Sequence, residues 1–270
     1  MKKIALITGA SAGIGMETAK WLAKNDYIVY GAARRIERMN GLAELGIKVI
    51  GMDVTDDDSM VAGVNEIIRN EGRIDVLVNN AGFGLYGALE EVSMKDARYQ
   101  LEVNVIGLAR LTQLIIPHMR NQQSGKIVNI TSIGGKISSP MGAWYHASKF
   151  AVEALSDNMR MELKPFGIDV IVIEPGGVKS EWSDIAMGNL IKSSSKGPYK
   201  HTAERIYALG KKFENRNADP SVIAELILKA ITSQNPKTRY HAGFMAGPVL
   251  MARKILSDKQ FDKVIMSQVK

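Results

Sequence analysis

The sequence predicts an α/β fold of three layers, in which a doubly wound and mostly or wholly parallel sheet lies between two layers of helices. Short runs rich in β-branched residues recur along the 270-residue chain. Most of them are continuously apolar, which is typical of parallel strands buried on both faces. Segments of helix length, with apolar residues three and four positions apart, separate these runs. Strand and helix alternate in this way six times, which favours one sheet with right-handed crossovers.

The individual elements follow from these patterns. The predicted strands are Ile4–Thr8, Tyr27–Tyr30, Ile47–Met52, Ile74–Asn79, Ile127–Ser132, Ile168–Ile173 and Thr238–His241. The predicted helices include Gly13–Asn25, Asp57–Glu71, Met94–Arg120 and Trp144–Pro165. No linker and no repeat of roughly 20–50 residues interrupts this order. Residues 1–270 are therefore predicted to form a single domain.

Two segments depart from the alternation. Residues 179–217, here called the lid segment, are polar and follow the sixth strand. They are predicted to lie over the carboxyl edge of the sheet as a mobile substrate lid, the alternative being a pair of ordinary surface helices. Residues 247–270 form a basic and apolar tail. Packing of this tail over the pocket is favoured over the alternative, contact with an anionic membrane surface.

Composition excludes several classes of function. The chain has no cysteine, which excludes disulfides, thiolate metal sites and a cysteine nucleophile. The net charge of +7 is unevenly distributed. Residues 1–185 carry 20 basic and 22 acidic side chains, whereas residues 186–270 carry 15 basic and 6 acidic ones. No recognition motif or aromatic stacking ladder accompanies the basic part, so binding to nucleic acid is not predicted.

Membrane and metal sites are not predicted either. No apolar run approaches the roughly 18 residues of a membrane span. The apolar run Ile4–Ile7 after the two N-terminal lysines is too short for a secretory signal. We therefore expect a cytoplasmic protein. The histidines have no metal-ligand spacing and no acidic cluster joins them, so no metal site is predicted.

A glycine-rich motif connects the first predicted strand to the first predicted helix. It reads Thr8-Gly9-Ala10-Ser11-Ala12-Gly13-Ile14-Gly15. Glycines at such a place permit a tight turn, a close approach of a diphosphate to the backbone, and close packing of helix on strand. The N-terminus of the helix then presents N–H groups and a partial positive charge to the diphosphate. The motif predicts a dinucleotide site that includes Gly9, Ser11, Gly13, Ile14 and Gly15, the alternative being a turn without a ligand.

The end of the second predicted strand indicates which dinucleotide binds. Loops that bind NAD usually have an acidic residue there for the ribose 2′-hydroxyl. This chain instead has Arg34 and Arg35 after Gly31-Ala32-Ala33. A guanidinium matches a 2′-phosphate, which a carboxylate would repel. NADP(H) is therefore predicted in preference to NAD(H), the alternative being that the two arginines are ordinary surface charges.

A candidate catalytic group lies near the fifth strand. Tyr145 and Lys149 are four residues apart in a predicted helix and share one helical face. A neighbouring ammonium is expected to lower the pKa of the phenol from its usual value near 10. The pair is then suited to proton transfer during carbonyl and alcohol interconversion. Ser132, at the predicted end of the fifth strand, could donate a hydrogen bond to the substrate oxygen.

These motifs, in this order, resemble the short-chain dehydrogenase/reductase family in its compact one-domain form, which has a Rossmann fold. The resemblance covers about residues 4–180 and extends to further positions. It implies that Asp53 and Val54 contact adenine, and that Asn79-Asn80-Ala81-Gly82 stabilises the sheet and backs the cofactor. It also implies that Asn104 helps to hold a proton-relay water and that Lys149 hydrogen-bonds the nicotinamide ribose.

The resemblance places the nicotinamide against Pro175-Gly176 and Val178. Where Val178 and its neighbours stand, the family more usually has a threonine that contacts the carboxamide. The C-terminal third has a layout similar to hydroxysteroid and retinol dehydrogenase-like members. Members often form homodimers or homotetramers through helices equivalent to 94–120 and 144–165, which we also expect for this chain.

The predicted function is that of an NADP(H)-dependent oxidoreductase. It would interconvert a carbonyl and a secondary alcohol on a small, apolar substrate, with Tyr145 as the acid and base. Candidate pocket residues are Leu85, Met141, Trp144, Trp182 and Met187. Glu153, on the helix of Tyr145, is expected at a solvated or interface position. The alternative function is a catalytically silent NADP(H)-binding sensor or scaffold of the same fold.

Overall fold

The computed structural model describes residues 1–269, and in this part of the chain seven strands form one central sheet. The strands are β1 (Lys3–Thr8), β2 (Tyr27–Ala33), β3 (Lys48–Gly51), β4 (Val76–Asn79), β5 (Gly125–Ile130), β6 (Ile168–Pro175) and β7 (Arg239–Ala242). Their order is β3-β2-β1-β4-β5-β6-β7, and every neighbouring pair is parallel. The predicted fold class is confirmed. The order reverses between β1 and β4, which leaves a crevice at the carboxyl ends of the strands.

Helices connect the strands and cover both faces of the sheet. They are α1 (Gly13–Lys24), α2 (Asn40–Ala43), α3 (Asp57–Glu71), α4 (Met94–Leu101), α5 (Gly107–Gln122), α6 (Ala143–Leu163), α7 (Glu181–Ser194), α8 (Lys200–Phe213), α9 (Pro220–Thr232), α10 (Ala246–Ile255) and α11 (Asp258–Ser267). The helix predicted over 94–120 is interrupted by a π-helical turn at Glu102–Ile106. Such turns insert one residue into the helical register and are frequent at functional sites.

The core lies on both faces of the sheet, as the apolar strands require. Side chains alternate across β1, so that Ile4 and Leu6 join a buried cluster with residues of α3 and α5. Ala5 and Ile7 face the other way and join a buried cluster with residues of α1 and α9. This alternation explains why the strands read as unbroken apolar runs.

The two segments that depart from the alternation are helical. The lid segment forms α7 and α8, and its role as a mobile lid remains a prediction. The tail forms most of α10 and all of α11, and Lys270 lies outside the described residues. Helix α10 packs against β7 and the turn after β5. The packing of the tail over the pocket remains a prediction. Among the helices of residues 1–269, none combines the length and the apolar character needed to span a membrane.

Candidate active site

A cleft of about 570 Å³ opens at the carboxyl edge of the sheet, beside the reversal of strand order. Almost all site residues predicted from the sequence line it. They are Gly9, Ser11, Gly13, Ile14, Arg34, Arg35, Asp53, Val54, Asn80, Ala81, Gly82, Ser132, Tyr145, Lys149, Pro175, Gly176 and Val178. Two predicted residues, Gly15 and Asn104, lie behind the wall of the cleft and support it.

The glycine-rich loop has the backbone conformation that its sequence predicts. Gly9 and Gly13 have φ angles of +67° and +54°, which side chains other than glycine rarely adopt. A Cβ on Gly15 would lie 2.4 Å from the Gly9 carbonyl oxygen, so only glycine allows α1 to pack this closely on the loop. The N-cap of α1 is Ala12, whose methyl group accepts no hydrogen bond. The first N–H groups of α1 therefore suit an anionic ligand in the cleft.

Hydrogen bonds join this loop to the loop after β4. The Oγ1 atom of Thr8 accepts hydrogen bonds from the backbone N–H groups of Asn80 and Ala81, at 3.1 and 3.0 Å. The Nδ2 atom of Asn80 donates to the carbonyl oxygen of Thr8 at 2.9 Å. The sequence motifs described above do not predict this role of Thr8. A hydroxyl at the end of an otherwise apolar strand is the signal that would have indicated it.

The rim of the cleft carries the two arginines that follow β2. The Nη1 atom of Arg34 donates to the hydroxyl of Tyr99 at 2.6 Å and lies 3.9 Å from Asp53. The Nη2 atom of Arg35 lies 3.5 Å from the carboxylate of Glu181 in the lid segment. Their side chains are 60% and 45% exposed. Together with the glycine-rich loop, these residues fit a dinucleotide with a diphosphate and a further anionic group at the rim.

Ser132 lies just after β5 rather than at the end of the strand, where the sequence predicts it. Strand β5 ends at Ile130, and Ser132 caps the short 3₁₀ turn Ile133–Gly135. Its Oγ atom accepts a hydrogen bond from the N–H of Gly134 at 3.0 Å. The turn directs the hydroxyl into the cleft rather than along the sheet, because the chain leaves the strand there.

Tyr145 and Lys149 lie on the first turns of α6 and face the inner end of the cleft. They are 7% and 8% exposed. The Nζ atom of Lys149 donates to the carbonyl oxygen of Ile130 at 2.9 Å and lies 6.0 Å from the centre of the Tyr145 ring. The structure therefore brings the phenol and the ammonium to one side of the cleft, as the four-residue spacing predicts.

Burial is the main cause of the pKa shifts of Tyr145 and Lys149. It raises the pKa of Tyr145 to about 12, and a hydrogen bond with Ser132 only partly opposes this shift. The expectation that the pKa of Tyr145 would be lowered is therefore wrong, because burial outweighs the neighbouring ammonium. Burial also lowers the pKa of Lys149 to about 8, against the opposing charge of Glu153. The ring of Trp182, whose centre is 4.9 Å from that of Tyr145, contributes to this burial.

Asn104 supports the site without lining the cleft. It lies in the π-helical turn and is 2% exposed. Its Oδ1 atom accepts from the N–H of Phe83 at 2.7 Å, and its Nδ2 atom donates to the Phe83 carbonyl and to the hydroxyl of Ser148, both at 3.0 Å. The Ser148 hydroxyl donates to the carbonyl of Tyr145 at 2.7 Å. Asn104 thus joins the wall of the cleft to the helix that carries Tyr145.

The inner part of the cleft is apolar and aromatic. Its lining includes Phe83, Tyr86, Val103, Trp182 and Ile185. The ring centre of Tyr86 is 5.6 Å from that of Tyr145. Trp182, a predicted pocket residue, is among them.

The other proposed pocket residues belong to two small apolar clusters behind the cleft. Met141 and Met187 pack with Leu190, whereas Leu85 and Trp144 pack with neighbours from the segment before α4 and from α4 itself. These four residues are not part of the cleft lining in the described part of the chain.

Glu153 is buried, although it was expected at a solvated or interface position. It is 4% exposed and forms ion pairs with Lys136 and Arg239. It is therefore a buried charged residue rather than a solvated or interface position. Arg239 is 86 residues away in the sequence, so no local pattern could have indicated the pairing.

Comparison with known proteins agrees with this arrangement. The sequence profile described as short chain dehydrogenase matches residues 3–186. A 3-ketodihydrosphingosine reductase of Bacteroides thetaiotaomicron is 34% identical over 89% of this chain and 88% of its own. The 17-beta-hydroxysteroid dehydrogenase type 1 of Homo sapiens is 32% identical over 93% of this chain and 81% of its own.

Solved structures show the same fold with either cofactor. A short-chain dehydrogenase from Streptomyces avermitilis has a TM-score of 0.82 and 30% identity, over 99% of this chain and 94% of its own. An alcohol dehydrogenase of the archaeon Thermococcus sibiricus, complexed with 5-hydroxy-NADP, has a TM-score of 0.72 and 25% identity, over 89% of this chain and 96% of its own.

A third structure contains the other cofactor. It is a 3-ketoacyl-(acyl-carrier-protein) reductase from Brucella melitensis complexed with NADH, with a TM-score of 0.76 and 25% identity, over 89% of this chain and 96% of its own. The glycine-rich loop, the cleft at the reversal of strand order and these similarities lead to one conclusion. The chain belongs to the short-chain dehydrogenase/reductase family and is an NAD(P)-dependent oxidoreductase.

Proposed function

We propose that this protein is an NADP(H)-dependent reductase of a carbonyl group on an apolar substrate, with Tyr145 as the proton donor. One observation carries the proposal. The Ser132 hydroxyl, the Tyr145 phenol and the Lys149 ammonium line the inner end of a cleft whose rim carries Arg34 and Arg35. The inner end suits a carbonyl oxygen, and the rim suits a 2′-phosphate.

The residues of the cleft divide the chemistry between them. When bound, the nicotinamide supplies or accepts a hydride. The glycine-rich loop and the N-terminus of α1 would hold the diphosphate, and Lys149 would bind the adjacent ribose. Ser132 donates a hydrogen bond to the substrate oxygen and orients it toward Tyr145. In reduction, the phenol of Tyr145 gives its proton to that oxygen, and the charge of Lys149 stabilises the phenolate that remains.

The phenol of Tyr145, with a pKa of about 12, is protonated at neutral pH, which is the form that donates a proton in reduction. The direction of the net reaction is set by the concentrations of the substrates and of the two cofactor forms, not by this group. The apolar inner lining favours an apolar substrate. Two relatives have names that refer to such molecules, a ketodihydrosphingosine and a hydroxysteroid.

The Tyr145→Phe variant tests the acid and base role. It should bind NADPH as the wild type does, because the phenyl ring keeps the shape of the cleft. Its turnover of ketones should fall by roughly 10²- to 10⁴-fold. Tyr86→Phe is the matched control, since Tyr86 lies beside Tyr145 but has no assigned part in proton transfer. Near-normal turnover by Tyr145→Phe would disprove the role.

A screen of ketones and aldehydes separates this proposal from the alternative of a silent sensor or scaffold. An enzyme should oxidise NADPH with at least part of an apolar panel. A sensor or scaffold should bind NADPH tightly and oxidise none of it. The intact set of Ser132, Tyr145 and Lys149 around the cleft supports the enzyme.

We further expect a cytoplasmic homodimer or homotetramer formed through the outer faces of α4, α5 and α6. Large apolar side chains are exposed on α6 and on the turn between α4 and α5, including Ile106 at 53%, Phe150 at 44% and Met161 at 64%. Exposed apolar side chains of this kind suit an interaction surface. The absence of cysteine fits a reducing compartment. Sedimentation velocity of the wild type and of Phe150→Glu tests the assembly, since the variant should shift to a lower mass.

A further inference from the structure

Glu153 is a buried carboxylate whose oxygens have three donors. Its Oε1 atom accepts a hydrogen bond from the hydroxyl of Thr131 at 2.7 Å. Its Oε2 atom accepts from the Nε atom of Arg239 at 2.9 Å and lies 2.7 Å from the Nζ atom of Lys136. These two cationic partners and the hydroxyl donor compensate for the burial of the carboxylate.

The partners of Glu153 flank the loop that carries Ser132. Thr131 precedes Ser132 directly, and Lys136 follows the 3₁₀ turn. A Cβ on Gly135 would lie 2.9 Å from the Cγ atom of Glu153 and 3.1 Å from the Lys149 carbonyl oxygen. The loop therefore rests directly on α6. One carboxylate fixes both ends of this loop to the helix that also carries the phenol and the ammonium of the site.

Charged groups surround Glu153 on the neighbouring strands and helices. Arg239 of β7 also donates to Asp157 at 2.8 Å and lies 3.6 Å from the Oε1 atom of Glu174 in β6. Burial raises the pKa of Glu174, the charge of Glu153 adds to this effect, and Lys254 of α10 opposes it. Loss of the Glu153 charge would leave this cluster and the nearby Lys149 with an excess of positive charge.

We propose that Glu153 is a positioning residue for proton transfer, which holds the Ser132 hydroxyl in place relative to Tyr145 and keeps a negative charge one turn from Lys149. The proposal rests on the function proposed above for these three residues. Glu153 acts through the Thr131 and Lys136 contacts and through its charge, and it does not line the cleft. In its absence the burial of Lys149 would favour the neutral amine more strongly.

The Glu153→Gln variant tests the proposal because it keeps the shape of the side chain and removes its charge. We expect kcat for ketone reduction to fall by about 10- to 100-fold, with KM and the NADPH dissociation constant within about twofold of wild type. The high-pH limb of the kcat profile, which is assigned to loss of the Lys149 charge, should move to lower pH because the charge of Glu153 raises the pKa of Lys149. Asp157→Asn is the matched control. Asp157 shares Arg239 with Glu153, and its other ion pair is with Arg160 of the same helix, so this variant should keep the wild-type kcat and profile.

Two results would overturn the proposal: a wild-type kcat and pH profile for Glu153→Gln, or an equal loss in Asp157→Asn. If Glu153→Gln does not fold, Thr131→Val replaces it, because this variant removes one contact to the loop and leaves the ion pairs. It should lower kcat without moving the high-pH limb, and a wild-type kcat would contradict the positioning role. Turnover by Tyr145→Phe would instead overturn the proposed function, so the two failures are distinguishable.

Discussion

Both carboxylate oxygens of Glu181 accept hydrogen bonds from the Nη1 atom of Arg38, at 2.9 and 2.8 Å. Arg35 lies 3.5 Å from the same carboxylate. Because Glu181 begins α7 while both arginines follow β2, these ion pairs join the lid segment to the opposite rim of the cleft. The carboxylate occupies guanidinium groups that are also suited to a phosphate.

Glu181→Gln should therefore bind NADPH more tightly, because a 2′-phosphate would no longer compete with a carboxylate for Arg35. The side chains of Arg35, Arg38 and Glu181 are about half exposed. Removal of their ion pairs should therefore have a small effect, about 2- to 5-fold in the dissociation constant of NADPH. Binding of NADH should not change. Fluorescence titration with each cofactor measures this. Asp184→Asn, which alters an ion pair with Lys211 inside the lid segment, is the control, and an equal gain for NADPH and NADH would contradict the prediction.

The proposed preference for NADPH should depend on the two arginines after β2. In Arg34→Ala/Arg35→Ala we expect the NADPH dissociation constant to rise by about 10- to 100-fold, the value of one or two hydrogen bonds to a charged group. The dissociation constant of NADH should change by less than about threefold, because NADH lacks the 2′-phosphate that the two arginines are proposed to bind. The exposed Arg69 of α3 lies outside the cleft, and Arg69→Ala should bind both cofactors normally. An equal loss for NADPH and NADH would indicate a general role in binding.

Local sequence patterns predicted the features whose conformation is determined by interactions between neighbouring residues. The apolar runs became buried parallel strands, and the glycine-rich motif became a turn with positive φ at Gly9 and Gly13. The four-residue spacing of Tyr145 and Lys149 placed both side chains on one side of the cleft. In each case neighbouring residues in the chain specify the conformation.

The remaining features depend on contacts between distant residues. Arg239 and Glu153 meet only because β7 lies at the edge of the sheet beside β6. The rise in the pKa of Tyr145 depends on burial in the folded protein, to which Trp182 of the lid segment contributes. The four-residue spacing indicated that the Lys149 ammonium lies near Tyr145. It could not indicate the burial, whose effect on the pKa of Tyr145 is larger than that of the ammonium.

Trp182 should contribute to the binding of apolar substrates, because its ring packs on Tyr145 and lies over Gly84, where a Cβ would be 2.6 Å from the indole. Trp182→Ala should raise KM for an apolar ketone by about 2- to 10-fold. Trp182→Phe should restore most of the loss. A small polar ketone such as acetone serves as the control substrate, and its KM should change little. An equal rise in KM for acetone would show that the variant disturbs the whole cleft.

His146 should make the stability of the protein depend on pH. It is 5% exposed, its Nδ1 atom lies 2.9 Å from the carbonyl of Gly134, and its Nε2 atom accepts from the N–H of Ser139 at 3.1 Å. Burial lowers the pKa of His146. The folded protein therefore keeps the imidazole neutral at a pH where the unfolded chain, with a histidine pKa of about 6.5, already binds a proton.

The contribution of His146 to the free energy of unfolding is therefore fully present above about pH 6.5. It is lost as the pH falls below this value, by at most about 1.4 kcal/mol per pH unit. Urea unfolding at several pH values between about 5 and 8 measures the slope. His146→Gln should be less stable at pH 7.5 but should lose less stability on acidification, because the titrating group is gone. His201→Gln, at an exposed position of α8, should keep the wild-type slope. Parallel losses in the wild type and His146→Gln would assign the acid sensitivity to other groups.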